Sequence, residues 1–212
     1  MSRNSMTFAE SAWAAVVAVV AGFARLIPHP WNLTPMGAVG IFGGSRLPAW
    51  LAFTLPLGIL AASDAVIYAW KGWSPFNPVV YASFLVYVLL GYFLLRKPTA
   101  LKVVGVSLLG SLQFFLLTNF AIWLTASVPA ADLGGLASAW VPSNHADYPQ
   151  LLRYSFDLSG LLACYVLALP FYGGTLAGDL VYPLVLFGVH RWLIEPAGDA
   201  APVAAVPVEV RR

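Results

Sequence analysis

The chain has 212 residues, of which 60% are hydrophobic and only 9% charged, and its mean hydropathy is +0.79; soluble domains carry about a quarter charged residues. This composition excludes a soluble globular domain and indicates an all-α, polytopic integral membrane protein. The net charge of +2, dispersed along the chain, excludes nucleic-acid binding, and the single cysteine, Cys164, excludes an internal disulfide or a cysteine-built metal site.

A spanning helix needs about 20 apolar residues to cross roughly 30 Å of hydrocarbon, with latitude for tilt and local thinning. The first such run covers 11–27. A basic start at Arg3 and an alanine-rich core also fit a signal peptide, but longer apolar segments come after it, so the run reads as a span. On one face it carries Ala14, Ala18 and Gly22, a small-residue stripe that lets another helix approach closely, within this chain or in another subunit.

Next comes RLIPHPWNLTP, a stretch whose prolines and polar residues oppose a helix and make a loop containing His29, Trp31 and Asn32. The second span, 36–47, is short; Thr34 is placed to cap it and Pro35 to occupy its first turn. Gly43, Gly44 and Pro48 separate it from the third span, 49–70, which contains Asp64. A second loop, KGWSPFNP, brings Trp73 and Asn77 ahead of the fourth span, 79–95, with Tyr81 at its start. The fifth span, 101–125, carries Thr118 and Asn119, and a third loop covers 126–157. The run 158–169 is too short to cross at about 1.5 Å per residue. Pro170 and Gly173-Gly174 break it from the last span, 175–194, which contains Asp179, so it reads as a short re-entrant or interfacial helix ahead of that span. The expected organisation is one six-helix transmembrane domain, 1–194, and a disordered cytoplasmic tail, 195–212.

Charge sets the expected orientation. With both termini cytoplasmic, eight of the eleven basic residues fall inside, leaving Arg25, Lys71 and Arg153 outside; a seventh crossing at 158–169 would reverse the bias to five in and six out. The expected location is the bacterial cytoplasmic membrane.

Polar residues within spans are expensive, about 2.5 to 3.5 kcal/mol for a mid-span Asp, and face a bundle interior or a water-filled cavity. Asp64 lies six residues before Trp70, Asn119 six before Thr125 and Asp179 six after Gly173, so each is expected about 9 Å from the outer end of its helix. Three helices would thus aim polar groups at one level beneath loops rich in proline and aromatic rings. Trp31, Asn32, Trp73, Asn77, Asp64, Tyr81, Asn119 and Asp179, joined by His29 and Thr118, form the expected outward pocket for a planar or partly apolar small molecule. Each residue also has a plainer reading: the rings as an interfacial belt, the acids as paired or protonated groups, Asn119 as interhelical glue.

The sequence contains no phosphate-binding loop, no H-E-x-x-H, no G-x-S-x-G and no cluster among His29, His145 and His190, so neither a metal nor a cofactor is expected. An enzyme would have to use Asp64 or Asp179 as acid or base.

RLIPHPWNLTPMGAVGIFGG, SLQFFLLTNFAIWL and GLLACYVLALPFYGGTLAGDLVYPLVLFG resemble an uncharacterised family of bacterial multi-pass membrane proteins, over roughly residues 21–192. That family is similar at a distance to the substrate-binding S components of energy-coupling-factor vitamin transporters. The resemblance implies six helices with both termini cytoplasmic, outer loops closing over a ligand, and a first helix whose Ala14, Ala18 and Gly22 dock to a transmembrane coupling subunit served by ATPases. Solitary cobalamin-handling relatives use a cysteine in the loop after the third helix; residues 71–81 have none here. The expected function is a membrane-embedded, vitamin-like small-molecule binding subunit for uptake, the alternatives being an accessory or scaffold subunit without ligand, or an intramembrane enzyme.

Overall fold

A computed structural model describes residues 8–27, 32–72, 76–127 and 154–194. Among these residues the chain forms six α-helices: α1 (Phe8–Phe23), continued by a 3-10 turn at Ala24–Leu26, α2 (Met36–Arg46), α3 (Ala49–Lys71), α4 (Pro78–Leu94), α5 (Ala100–Ser127) and α6 (Leu158–Ile194). Three of them, α3, α5 and α6, contain stretches long and apolar enough to cross a membrane, so the protein is a multi-pass helical membrane protein. Pairings between residues show α1, α3 and α5 running one way and α2, α4 and α6 the other. Gly22 and Arg25 meet Ile59 and Ser63, Gly40 and Ser45 meet Phe84 and Leu95, and Gly37 and Phe42 meet Asp179 and Phe187, each in ascending order, whereas Phe84 and Tyr87 meet Phe114 and Gly110 in descending order.

The helix ends obey the local chemistry. Asn77 caps α4, its side-chain oxygen accepting from the N–H groups of Val79 and Val80 at 2.9 and 3.4 Å, and Pro78 fills the first turn where no donor is needed. Gly72 ends α3 at φ 75°, a left-handed conformation that closes a helix with its N–H on the Tyr68 carbonyl. The start of α2 differs by one residue from the sequence expectation. Pro35, not Thr34, stands at its N-cap, and the Pro35 carbonyl accepts from Val39 at 2.9 Å.

α2 is the axis of the bundle. Every residue from Met36 to Ser45 is buried, and α1, α3, α4, α5 and α6 all pack on it. Its glycines explain how. Gly44 lies against the Val88 carbonyl of α4, and Gly91 of α4 against the Ile41 carbonyl, so closely that a β-carbon on either would overlap the oxygen. Small residues let backbones meet where apolar burial cannot drive association, because lipid is as apolar as the helices. The α1 stripe works the same way. Ala14 and Ala18 are fully buried, and the Ile59 side chain of α3 occupies the place of a Gly22 side chain. The stripe therefore packs inside this chain, the internal of the two placements that the sequence allows for Ala14, Ala18 and Gly22.

The expectation for 158–169 is corrected. These residues are not a separate re-entrant or interfacial helix: α6 runs unbroken from Leu158 to Ile194 with Pro170 and Pro183 inside it. A proline removes one backbone bond and crowds the preceding turn, but contacts on both sides of Pro170 keep the chain helical. The Tyr165 hydroxyl donates to the Leu116 carbonyl at 2.9 Å, and the rings of Phe115 and Tyr172 lie 4.6 Å apart. In hydrocarbon, helical backbone is also the least expensive way to satisfy the remaining N–H and C=O groups. At about 1.5 Å per residue α6 is about 55 Å long and α5 about 42 Å, both longer than the hydrocarbon is thick.

Candidate functional site

At the N-terminal end of α2 the helices part around a cavity of about 140 Å³, lined by polar Arg25, Asn32, Thr34, Tyr87, Thr175 and Asp179 and by apolar Met36, Val80, Phe84 and Phe114, with the bare backbone of Gly37 between them. Glycine makes this arrangement. The Tyr87 side chain, 1% exposed, runs through a slot between Gly37 and Gly40 of α2 and Gly110 of α5, where a β-carbon on any of the three would strike it. The Asp179 carboxylate occupies the space a Gly37 side chain would need and accepts a hydrogen bond from the Tyr87 hydroxyl through its Oδ2. Two groups that membrane burial would penalise separately thereby satisfy each other.

A second polar cluster adjoins the cavity through Arg25. Its Nη1 lies 2.7 Å from Asp64 Oδ1 and donates to Ser63 Oγ at 2.6 Å, while the Tyr81 hydroxyl donates to Asp64 Oδ2 at 2.8 Å. The turn after α1, the C-terminal part of α3 and the start of α4 are thus tied together by one carboxylate. Asp64 carries a paired guanidinium and a phenol, so it is matched in charge; Asp179 has a phenol but makes no ion pair among the described residues.

The expected site residues separate on this geometry. Asn32 and Asp179 line the cavity, and the Asn32 amide donates to the Phe171 carbonyl at 3.3 Å, holding residue 32 at φ 60°, a left-handed conformation asparagine tolerates better than most. Asp64 and Tyr81 form the adjoining cluster. Asn77 caps its helix. Thr118 and Asn119 turn their side chains back to the Phe114 and Phe115 carbonyls of their own helix. Asn119 also receives the Cys164 thiol at its carbonyl, 3.4 Å away, placing it between α5 and the first part of α6. His29, Trp31, Trp73 and the tail 195–212 lie outside the described residues. No group of three or more metal-binding side chains occurs among the described residues.

Four lining residues with clear roles stand outside the sequence expectation: Arg25, Tyr87, Phe84 and Phe114. In the sequence Arg25 reads only as a topology charge, although an arginine at the end of an apolar run needs a partner and Asp64 is available. The glycine spacing 37, 40, 43, 44 is the remaining signal, because a helix stripped of side chains must be receiving them from its neighbours.

Neither a curated protein nor a solved structure matches the chain. One family does, described as a family of unknown function, DUF6580, across residues 6–201. The chain belongs to DUF6580, a family whose description assigns no activity.

Proposed function

We propose that the protein is a membrane-embedded small-molecule binding subunit for uptake, comparable in role to the S components that its sequence resembles. The observation that carries this reading is the cavity at the head of α2, where apolar walls surround a few fixed polar groups, the usual composition of a small-molecule site. A packing defect in a membrane bundle would be lined by aliphatic side chains, whereas this one receives a buried carboxylate and its phenol. On this reading both termini are cytoplasmic, the cavity faces outward, and the membrane is the bacterial cytoplasmic membrane, as the basic residues Arg46, Arg96, Lys97, Lys102 and Arg191 favour. A transmembrane coupling subunit with ATPases would supply the energy. It would have to dock elsewhere than on the buried alanine stripe; Trp13, Val16 and Val20 occupy the exposed face of the same helix.

Native mass spectrometry of the gently purified protein tests the reading. A co-purified molecule present in the wild type and lost when Thr175→Trp fills the cavity is the expected result. A bare chain of the sequence mass in both would remove the small-molecule role and leave the scaffold alternative.

A further inference from the structure

The charge balance and wall chemistry of the cavity say which class of molecule it suits, an inference that rests on the small-molecule reading above. Arg25 and Asp179 both line it. The Arg25 charge is matched by Asp64 at 2.7 Å, so Asp179 is the acid of the three with no ion-pair partner among the described residues. An anion entering here would meet that carboxylate and a guanidinium already engaged. A neutral molecule would leave Asp179, 3% exposed, buried as the neutral acid, because an unpaired carboxylate is expensive in low dielectric; a cation is what would hold it ionised.

The walls favour the same sign of charge. Phe84, Tyr87 and Phe114 line the cavity and pack on one another, with centroids 5.7 Å apart for Phe84 and Tyr87, 5.5 Å for Phe84 and Phe114, and 6.3 Å for Tyr87 and Phe114. Aromatic walls attract an organic cation through the negative faces of their π-systems, most strongly where water is excluded. One of these rings, Tyr87, also holds the carboxylate in place through its hydroxyl. The volume sets the size, since a cavity of about 150 Å³ accepts a molecule such as benzene. We propose that the cavity at the head of α2 binds a small organic monocation of the ammonium type, about six to eight non-hydrogen atoms in size, through Asp179 and the Phe84, Tyr87 and Phe114 rings.

The test is calorimetric titration of the full chain in nanodiscs with three probes of one shape: choline, its neutral carbon isostere 3,3-dimethylbutan-1-ol, and the anion 3,3-dimethylbutanoate. Choline is expected to bind at least tenfold more tightly than either, a difference of about 1.4 kcal/mol. Asp179→Asn, which keeps the shape, should remove that preference, and Phe114→Leu should weaken choline several-fold should Asp179→Asn fail to fold. Asp157→Asn, remote from the cavity, should bind choline as the wild type does. Isostere or anion binding as tight as choline, with the same sensitivity to Phe114→Leu, would overturn the cation inference and leave the small-molecule reading standing. No binding of any probe at millimolar concentration would also overturn it. In that case a co-purified molecule in the native mass spectrum keeps the broader reading, and a bare chain removes both.

Discussion

Removing either partner of the Arg25 and Asp64 pair should destabilise the protein, and removing both should be little worse than removing one. The pair joins the turn after α1 to α3, with Ser63 and Tyr81 completing its hydrogen bonds. Stripping one charge from a buried pair costs about 3 to 5 kcal/mol, mostly because the other is left uncompensated. The side chains are 17% and 8% exposed, so solvent relieves part of that, and about 2 to 3 kcal/mol is expected for Arg25→Gln or Asp64→Asn alone. The double variant has no orphaned charge. It should lose about the same amount as either single change, a coupling of about 2 kcal/mol. Unfolding by dodecyl sulfate in mixed micelles, monitored by far-ultraviolet circular dichroism, measures all four corners of the cycle. Losses that add to within about 0.5 kcal/mol in the double variant would refute the claim that this pair is what ties the two segments.

Gly91→Ala should destabilise by about 1 to 3 kcal/mol or more, because its β-carbon meets the Ile41 carbonyl and the two helices must separate. Gly58→Ala, whose β-carbon would meet nothing within 4 Å, should be neutral or stabilising by up to about 1 kcal/mol in the same assay. Tyr87→Phe removes the phenol that donates to Asp179 and should lose about 1.5 to 3 kcal/mol. Tyr81→Phe should lose less, about 1 kcal/mol, since Asp64 keeps Arg25; equal losses would contradict the different pairing of the two acids. At the start of α6, the Gly160 N–H, together with the Ser159 and Ser155 hydroxyls, holds the exposed Asp157 carboxyl down at about 2, below the ordinary value near 3.9. The support it gives the helix start is therefore complete above the ordinary value and is lost as pH falls through about 2. A carboxyl-carbon resonance titrating near 2, and moving upward in Ser159→Ala, is the expected observation; a midpoint near 4 in the wild type would remove the cap.

Helix ends are legible in the sequence where a boundary has its own chemistry. Pro35 and Pro48 mark helix starts that the structure reproduces, α2 beginning at Met36 and α3 at Ala49. Pro170 and Gly173-Gly174 mislead because those residues weaken a helix locally, whereas continuity there is decided by Phe115 and Leu116 on a neighbouring helix. The reference point used for Asp179 fails for the same reason, because no helix starts at Gly173. Asp64 and Asp179 are legible as interior groups because a carboxylate in hydrocarbon demands a partner. Their partners are not, since Tyr81 and Tyr87 share a helix and nothing in their spacing says which acid each will meet. Asn77 shows the opposite limit. A polar residue before a proline in a loop can be a ligand or a cap, and only the 2.9 Å bond from Val79 distinguishes them.

The burial of α2 has a consequence for how the protein is made. Eleven residues give a helix of about 16 Å, half the thickness of the hydrocarbon, and it is enclosed by neighbours on all sides. Such a segment has no lipid-facing surface on which to wait after synthesis. α1 and α3 emerge on either side of it, but α4, which seals it through Gly44 and Gly91, and α6, which brings Asp179 to Gly37, leave the ribosome later. The central helix of the finished bundle is thus among the last to become stably seated, and a nascent chain truncated before α6 should leave single cysteines placed in α2 open to water-soluble thiol reagents that the complete chain excludes.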